Sequence, residues 1–198
     1  MPLPTYDKTK RRKSYEQLPK DAYVCRIIGA KEKQTKDGKG TYLEIGFDIA
    51  EGKYAGFYDK QYQAMDADNK RWPNDGLFRL NVPAEGCQEY VVTNWNTFFA
   101  DLEDSNNGYV FNGDPRGLKG KLIGGKFHIE QSEYNGNVYD HTRFRYSCVA
   151  DDVRNGNAGK LPNDKLVSPK GKPDPAHAAT GSDDFMMIPD GAEEELPF

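Results

Sequence analysis

An all-β-dominated domain of five strands and one helix, with disordered termini, is predicted by three observations. Residues 41–49 put Leu43, Ile45, Phe47 and Ile49 on one side and Tyr42, Glu44, Gly46 and Asp48 on the other, the period of two that a half-buried strand requires. Asp37-Gly38 and Tyr134-Asn135-Gly136 interrupt extended runs, as hairpin turns do. Only one stretch has strong helical spacing: Trp95, Phe98, Phe99 and Leu102 fall at i, i+3, i+4 and i+7, a single apolar stripe.

In chain order, residues 1–20 form a polar arm carrying Lys8, Lys10, Arg11, Arg12 and Lys13. A first strand is predicted over 22–30, with Tyr23, Cys25 and Ile27 on one face and Val24, Arg26 and Ile28 on the other. Residues 31–40 read as a charged turn, followed by the strand 41–49. A third strand is expected over 55–62, where Tyr58, Lys60 and Tyr62 would share a face. Residues 64–76 form a polar loop with Lys70, Arg71 and Trp72 at its middle, leading to a short extended piece, 77–82. The helix is expected over 93–104 with Thr93 as its N-cap. Two long strands close the domain, 119–133 and 138–149; on the last, Phe144, Tyr146 and Cys148 alternate with Tyr139, His141, Arg143 and Arg145. Strand, strand, strand, helix, strand, strand is the order of the OB-fold, a five-stranded Greek-key barrel whose helix lies between strands three and four. The domain is therefore bounded at 21–154. Residues 155–182, rich in Gly, Pro, Asn and Lys, read as a flexible linker, and 183–198 as a separate acidic tail.

Charge supports that division. The formal net charge of -4 is uneven: 1–160 carry +1, 161–182 carry +1, and 183–198 carry -6 with no base. The body is near neutral. Three cysteines, Cys25, Cys87 and Cys148, lie too far apart for a metal-binding pair. With no apolar leader and no membrane-length run, the expectation is a cytoplasmic protein.

Catalytic chemistry finds little purchase. GKGTY after Gly38 joins strands and is no phosphate loop. His128, His141 and His177 lack ligand spacing. The expectation is a non-enzyme with no metal and no cofactor. Binding chemistry is better supplied. Single strands are held by bases that track the phosphates and by aromatic rings on which nucleobases stack. That pattern recurs at Tyr58, Lys60 and Tyr62; at Lys70, Arg71 and Trp72; and at Tyr139, His141, Arg143 and Arg145, with Arg26, Lys121 and Lys126 extending the surface. Trp72, beside a proline in a polar loop, is the best single stacking candidate. Trp95, Phe98 and Phe99 are expected in the core.

The terminus is the sharpest motif: Glu193, Glu194, Glu195, Leu196, Pro197 and Phe198 place acids before a small apolar tip, suited to a partner with a basic rim and an apolar pocket. EEELPF resembles the acidic tip of bacterial and phage single-stranded DNA-binding proteins. The body resembles phage members of that group through LPxxxY from Leu18, FDIAEGxYAGxY from Phe47, FHIEQSEYNG from Phe127 and DDVRNG from Asp151. The resemblance implies an OB-fold that coats single-stranded DNA during replication or recombination, and a tail that recruits host or phage replication proteins. The stretch 64–117 is longer than a minimal OB domain needs, which leaves homo-oligomerisation open. Two other readings also stand: a protein-interaction adaptor with an OB or β-sandwich body, and a virion structural protein.

Overall fold

The computed structural model describes Thr5 and residues 16–65 and 70–167. The tail residues Glu193 to Phe198 and most of the N-terminal arm lie outside them. The described chain is built on one antiparallel sheet of five strands: β1 (Ala22–Gln34), β2 (Thr41–Ile49), β3 (Leu77–Asn81), β4 (Leu122–Tyr134) and β5 (Asn137–Cys148). Three helices accompany it: α1 (Phe57–Gln63), α2 (Glu89–Asp104) and α3 (Ala150–Arg154). The strand order is β3-β2-β1-β4-β5. Consecutive pairs are hydrogen-bonded, and the two ends of the series, β3 and β5, are not joined by a ladder.

The alternation that predicts β2 fixes its faces. Leu43, Ile45, Phe47 and Ile49 are all buried, together with Cys25 and Ile27 of β1, Leu80 of β3, and Ile123 and Phe127 of β4. Helix α2 closes this core with Phe98, Phe99 and Leu102 and packs on β3, β4 and β5. Between the unladdered ends, Phe78 of β3 meets Phe144 of β5 with ring centroids 4.6 Å apart. A ring contact thus stands where a backbone ladder is missing.

Several boundaries differ from the sequence expectation. β1 runs on to Gln34, because Lys31 to Gln34 pair with Thr41 to Glu44 and shorten the turn. β4 starts at Leu122, so Lys119 and Lys121 precede it. Helix α2 begins at Glu89, and Thr93 lies inside it rather than capping it. The β4–β5 hairpin turns at Asn135 (φ 50°) and Gly136 (φ 75°), both in the left-handed region that such two-residue turns require.

The third predicted strand is a helix. Gly52 (φ 79°) and Gly56 (φ 73°) turn the chain out of an extended path. The Asp48 carboxylate of β2 then accepts the N–H groups of Tyr58 (2.8 Å) and Asp59 (3.3 Å) at the start of α1. In a helix Tyr58 and Tyr62 share a face and Lys60 leaves it.

Residues 163–167 were expected in the linker, yet they run beside the part of β4 that lies beyond its pairing with the first residues of β1. Lys165 donates its N–H to Ile129 (2.9 Å) and accepts from Gln131 (2.8 Å), a parallel bridge along an otherwise open edge. Asn163 and Asp164 fasten the same segment to His128 and to the Ile129 N–H. Its hold comes from backbone pairing and from the Asp164 carboxylate, which also meets Lys20 at 2.8 Å.

Burial holds His128 below its ordinary 6.5. Arg145 adds to that effect, while Asn163, Glu130 and Asp164 oppose it. A depressed folded pKa contributes stability that is present above the unfolded value and lost as pH falls through the folded one. Lowering pH from about 7.5 to about 5 should therefore destabilise the protein, since histidine titrates in this range. His128→Gln should flatten that part of the melting-temperature profile. An unchanged slope in the variant would remove His128 as its source.

Candidate nucleic-acid interface

The sheet's outward face carries the residues left over when the core is filled. On β1, β2 and β3 these include Lys31, Lys33, Tyr42, Glu44 and Arg79. Register sets Lys33 beside Tyr42 and Glu44 beside Arg79. The Arg79 guanidinium lies 5.2 Å from the centre of the Tyr42 ring, and Lys33 pairs with Glu44 at 2.7 Å. Tyr42 and Arg79 were missed as site residues. Each shows the outward parity of its strand, but their meeting depends on the β2–β3 register, which no local pattern encodes.

A second cluster joins α1 to the loop before β3. Tyr62 and Trp72 are 5.6 Å apart at 42°, and the Lys70 ammonium sits 4.8 Å above the Tyr62 ring. Arg71 is exposed beside them. Trp72 is not a free loop ring: its indole N–H donates to the carbonyls of Phe47 (3.2 Å) and Gly76 (3.1 Å). Those bonds fix the ring over the outward face near Gly46 and require glycine at 76, where an added Cβ would come within 2.6 Å of the indole nitrogen. Part of Trp72 stays exposed, so stacking is open to a pre-oriented ring.

Tyr58 is a correction. It is 1% exposed, edge-on to Phe47 and Phe57, and no nucleobase can reach it. Lys60 is exposed, but on another face of α1, with its ammonium 3.0 Å from the Ala55 carbonyl.

The β4–β5 ribbon carries a third group. His141 is bracketed by Ser132, whose Oγ is 3.0 Å from Nε2, and by Asp75, whose Oδ2 is 3.3 Å from Nδ1. Arg143 reaches Asp75 (3.4 Å) and Glu130 (3.3 Å), and Glu130 also pairs with Lys165 (3.4 Å). Acids therefore neutralise much of what the sequence offers as a basic stripe. The Ser132–His141–Asp75 chain has the order of a hydrolytic relay. However, the cavity that Asp75 lines includes neither Ser132 nor His141. Tyr139 and Arg145 are exposed, Arg145 lying 5.3 Å from the Tyr146 ring.

No family model and no curated protein matches this chain.

The remaining predicted residues engage other neighbours. Arg26 is exposed on β1, opposite Asp48 and Leu122 in register. Lys121 lies 4.3 Å over the Tyr109 ring. Lys126 is half-buried on β4, where its charge draws down the Asp101 carboxyl against the upward push of burial. The structure thus brings together Tyr62, Lys70 and Trp72, with Arg71 between the last two in sequence, and separately gathers His141 and Arg143 on Asp75. Among the described residues no three His, Cys, Asp or Glu side chains gather to hold a metal ion. No described helix is long and apolar enough to cross a membrane.

Proposed function

We propose that this protein binds and protects single-stranded DNA in the cytoplasm, during replication or recombination of a phage or its host, without enzymatic activity. Its acidic end, Glu193 to Phe198, recruits replication proteins. The observation that carries the reading is the pairing of cation with aromatic ring on the surface beside β2 and β3: Arg79 on Tyr42 and Lys70 on Tyr62, with Trp72 beside Tyr62 and pinned through its indole N–H. Such pairs offer bases a stacking platform and phosphates a charge at the same place. The strand order, with α2 between β3 and β4, supports an OB-type body, in which β3 and β5 are the pair that would close the barrel. The near-neutral body favours stacking over charge as the main source of affinity.

The test is titration of the full chain with poly(dT), poly(rU) and duplex at two salt concentrations, followed by Trp emission. Each stacked base is worth about 1–3 kcal/mol, so Tyr42→Ala or Tyr62→Ala should weaken poly(dT) binding about fivefold or more with little change in salt slope. Arg79→Ala and Lys70→Ala should each flatten the slope by about 0.7. The proposal is falsified if poly(dT) does not bind, or if both tyrosine variants bind as the parent does. Removing Pro197 and Phe198 should leave poly(dT) affinity intact and abolish capture of replication proteins. An adaptor would instead keep its partners and show no poly(dT) binding.

A further inference from the structure

Glycine weakens the interior of a strand, and where it stands there it often marks a bulge, a bend or a close approach. Gly29 of β1 and Gly46 of β2 are cross-strand partners on the outward face of the sheet. A bulge in β1 falls between Ile27 and Gly29, yet neither glycine has the left-handed φ that favours this residue. Nor is crowding the reason. A Cβ on Gly29 would meet nothing within 4 Å among the described residues. One on Gly46 would make only ordinary contacts, 3.8 Å to the Gly29 carbonyl and to Leu77 and 3.9 Å to Trp72. Both residues are partly exposed. The fold by itself requires neither glycine.

The surroundings of the pair define what can approach it. Two glycines on adjacent strands, about 5 Å apart, leave a patch of bare peptide open to solvent. Trp72 borders the patch on the Gly46 side, pinned there by its bonds to the Phe47 and Gly76 carbonyls. In the neighbouring cross-strand row Lys31 and Arg79 flank Glu44. That carboxylate is already taken by Lys33 at 2.7 Å. The patch therefore has a flat floor, an aromatic wall and a cationic rim. Those are complements of a planar ring attached to an anion.

We propose that Gly29 and Gly46 form the floor of a seat for one nucleobase of a bound single strand. The base lies with its face on the bare peptide planes, beside Trp72, and its phosphate reaches Lys31 or Arg79. Any base fits by its face, so the seat is tolerant of sequence, as stacking platforms are. A side chain on either residue would occupy the space that the ring takes. A duplex has no free base face to offer. The inference rests on the single-strand reading above and adds a requirement of shape to its requirements of charge and stacking.

Titration of the full chain and of Gly29→Ala, Gly29→Val and Gly46→Ala tests this, with oligo(dT) and with an abasic deoxyribose-phosphate oligomer of equal length. Gly29→Val should weaken oligo(dT) binding about fivefold or more, the worth of one stacked base. Gly29→Ala and Gly46→Ala should weaken it less. The salt slope should stay that of the parent, because no phosphate contact is lost. The abasic oligomer, which has no base to seat, should bind the parent and the variants alike. A Cβ finds room at both positions, so each variant should melt at or above the parent's temperature. The seat is overturned if all three variants bind oligo(dT) as the parent does. It is also overturned if they lose the abasic oligomer equally, which would put the glycines under the phosphate path. Sedimentation checks the other occupant: if the parent self-associates, Gly29→Val does not, and both bind oligo(dT) equally, the floor takes a second copy of this chain and the base assignment falls. Failure of the parent itself to bind oligo(dT) is a separate result, which removes the single-strand reading and the seat with it.

Discussion

Phe127→Ala should cost about 3–5 kcal/mol of folding stability, the range for truncating a fully enclosed phenylalanine. Phe127 has no exposed surface, and its ring is edge-on to three others: Tyr23 at 5.4 Å, Phe144 at 5.5 Å and Phe47 at 5.8 Å. Those partners come from β1, β5 and β2, so one side chain ties three other strands to β4. Collapse into the vacated space is resisted on each side by a rigid ring, which places the expected loss toward the upper end. Phe127→Leu, which conserves most of the volume, should cost about 1.5 kcal/mol or less. Urea unfolding should show the alanine midpoint displaced with little change in slope. A loss below about 1 kcal/mol would mean that the ring cluster repacks freely.

Asp48→Ala should be the next most damaging substitution, at roughly 3 kcal/mol, because it strands buried donors as well as removing a helix cap. Asp48 is 7% exposed and accepts from Ile49 (2.8 Å) as well as from the first turn of α1. Burial pushes its carboxyl above the usual range, although three N–H donors pull the other way. Asp48→Asn keeps one acceptor oxygen and should recover part of the loss. Because α1 carries Tyr62, the alanine variant should also weaken poly(dT) binding. If it melts with the parent, α1 is held by packing alone and the cap is incidental.

What was legible in the sequence is what local periodicity controls. The alternation of Leu43, Ile45, Phe47 and Ile49, the stripe of Phe98, Phe99 and Leu102, and the Asn135-Gly136 turn each depend on neighbours a few residues away. The misread elements depend on distant partners. Helix α1 starts where it does because a carboxylate ten residues earlier waits at its end. Trp72 is pinned by a carbonyl 25 residues back. Residues 163–167 adhere to an edge that exists only after β4 has been laid beside β5. The site divides in the same way. Tyr62, Lys70, Arg71 and Trp72 are contiguous enough to be found by composition, whereas the pairing of Tyr42 with Arg79 needs the strand register. Tyr58 looked outward only under a period of two. At a helical period, its place beside Phe57 makes it core.

The gap between β3 and β5 has a bearing on colloidal behaviour. As the two ends of the strand series, they meet through the Phe78–Phe144 rings instead of a ladder. Parting there breaks the Phe78–Phe144 contact and the Asp75 bonds to His141 and Arg143 but no strand ladder, so it needs less than global unfolding. Such an event uncovers two strand edges at the same moment, and bare edges recruit other chains. Self-association should therefore follow the frequency of this local parting and rise steeply with protein concentration, even where the melting temperature is unchanged. Shelf life and melting temperature would then report on different parts of the molecule.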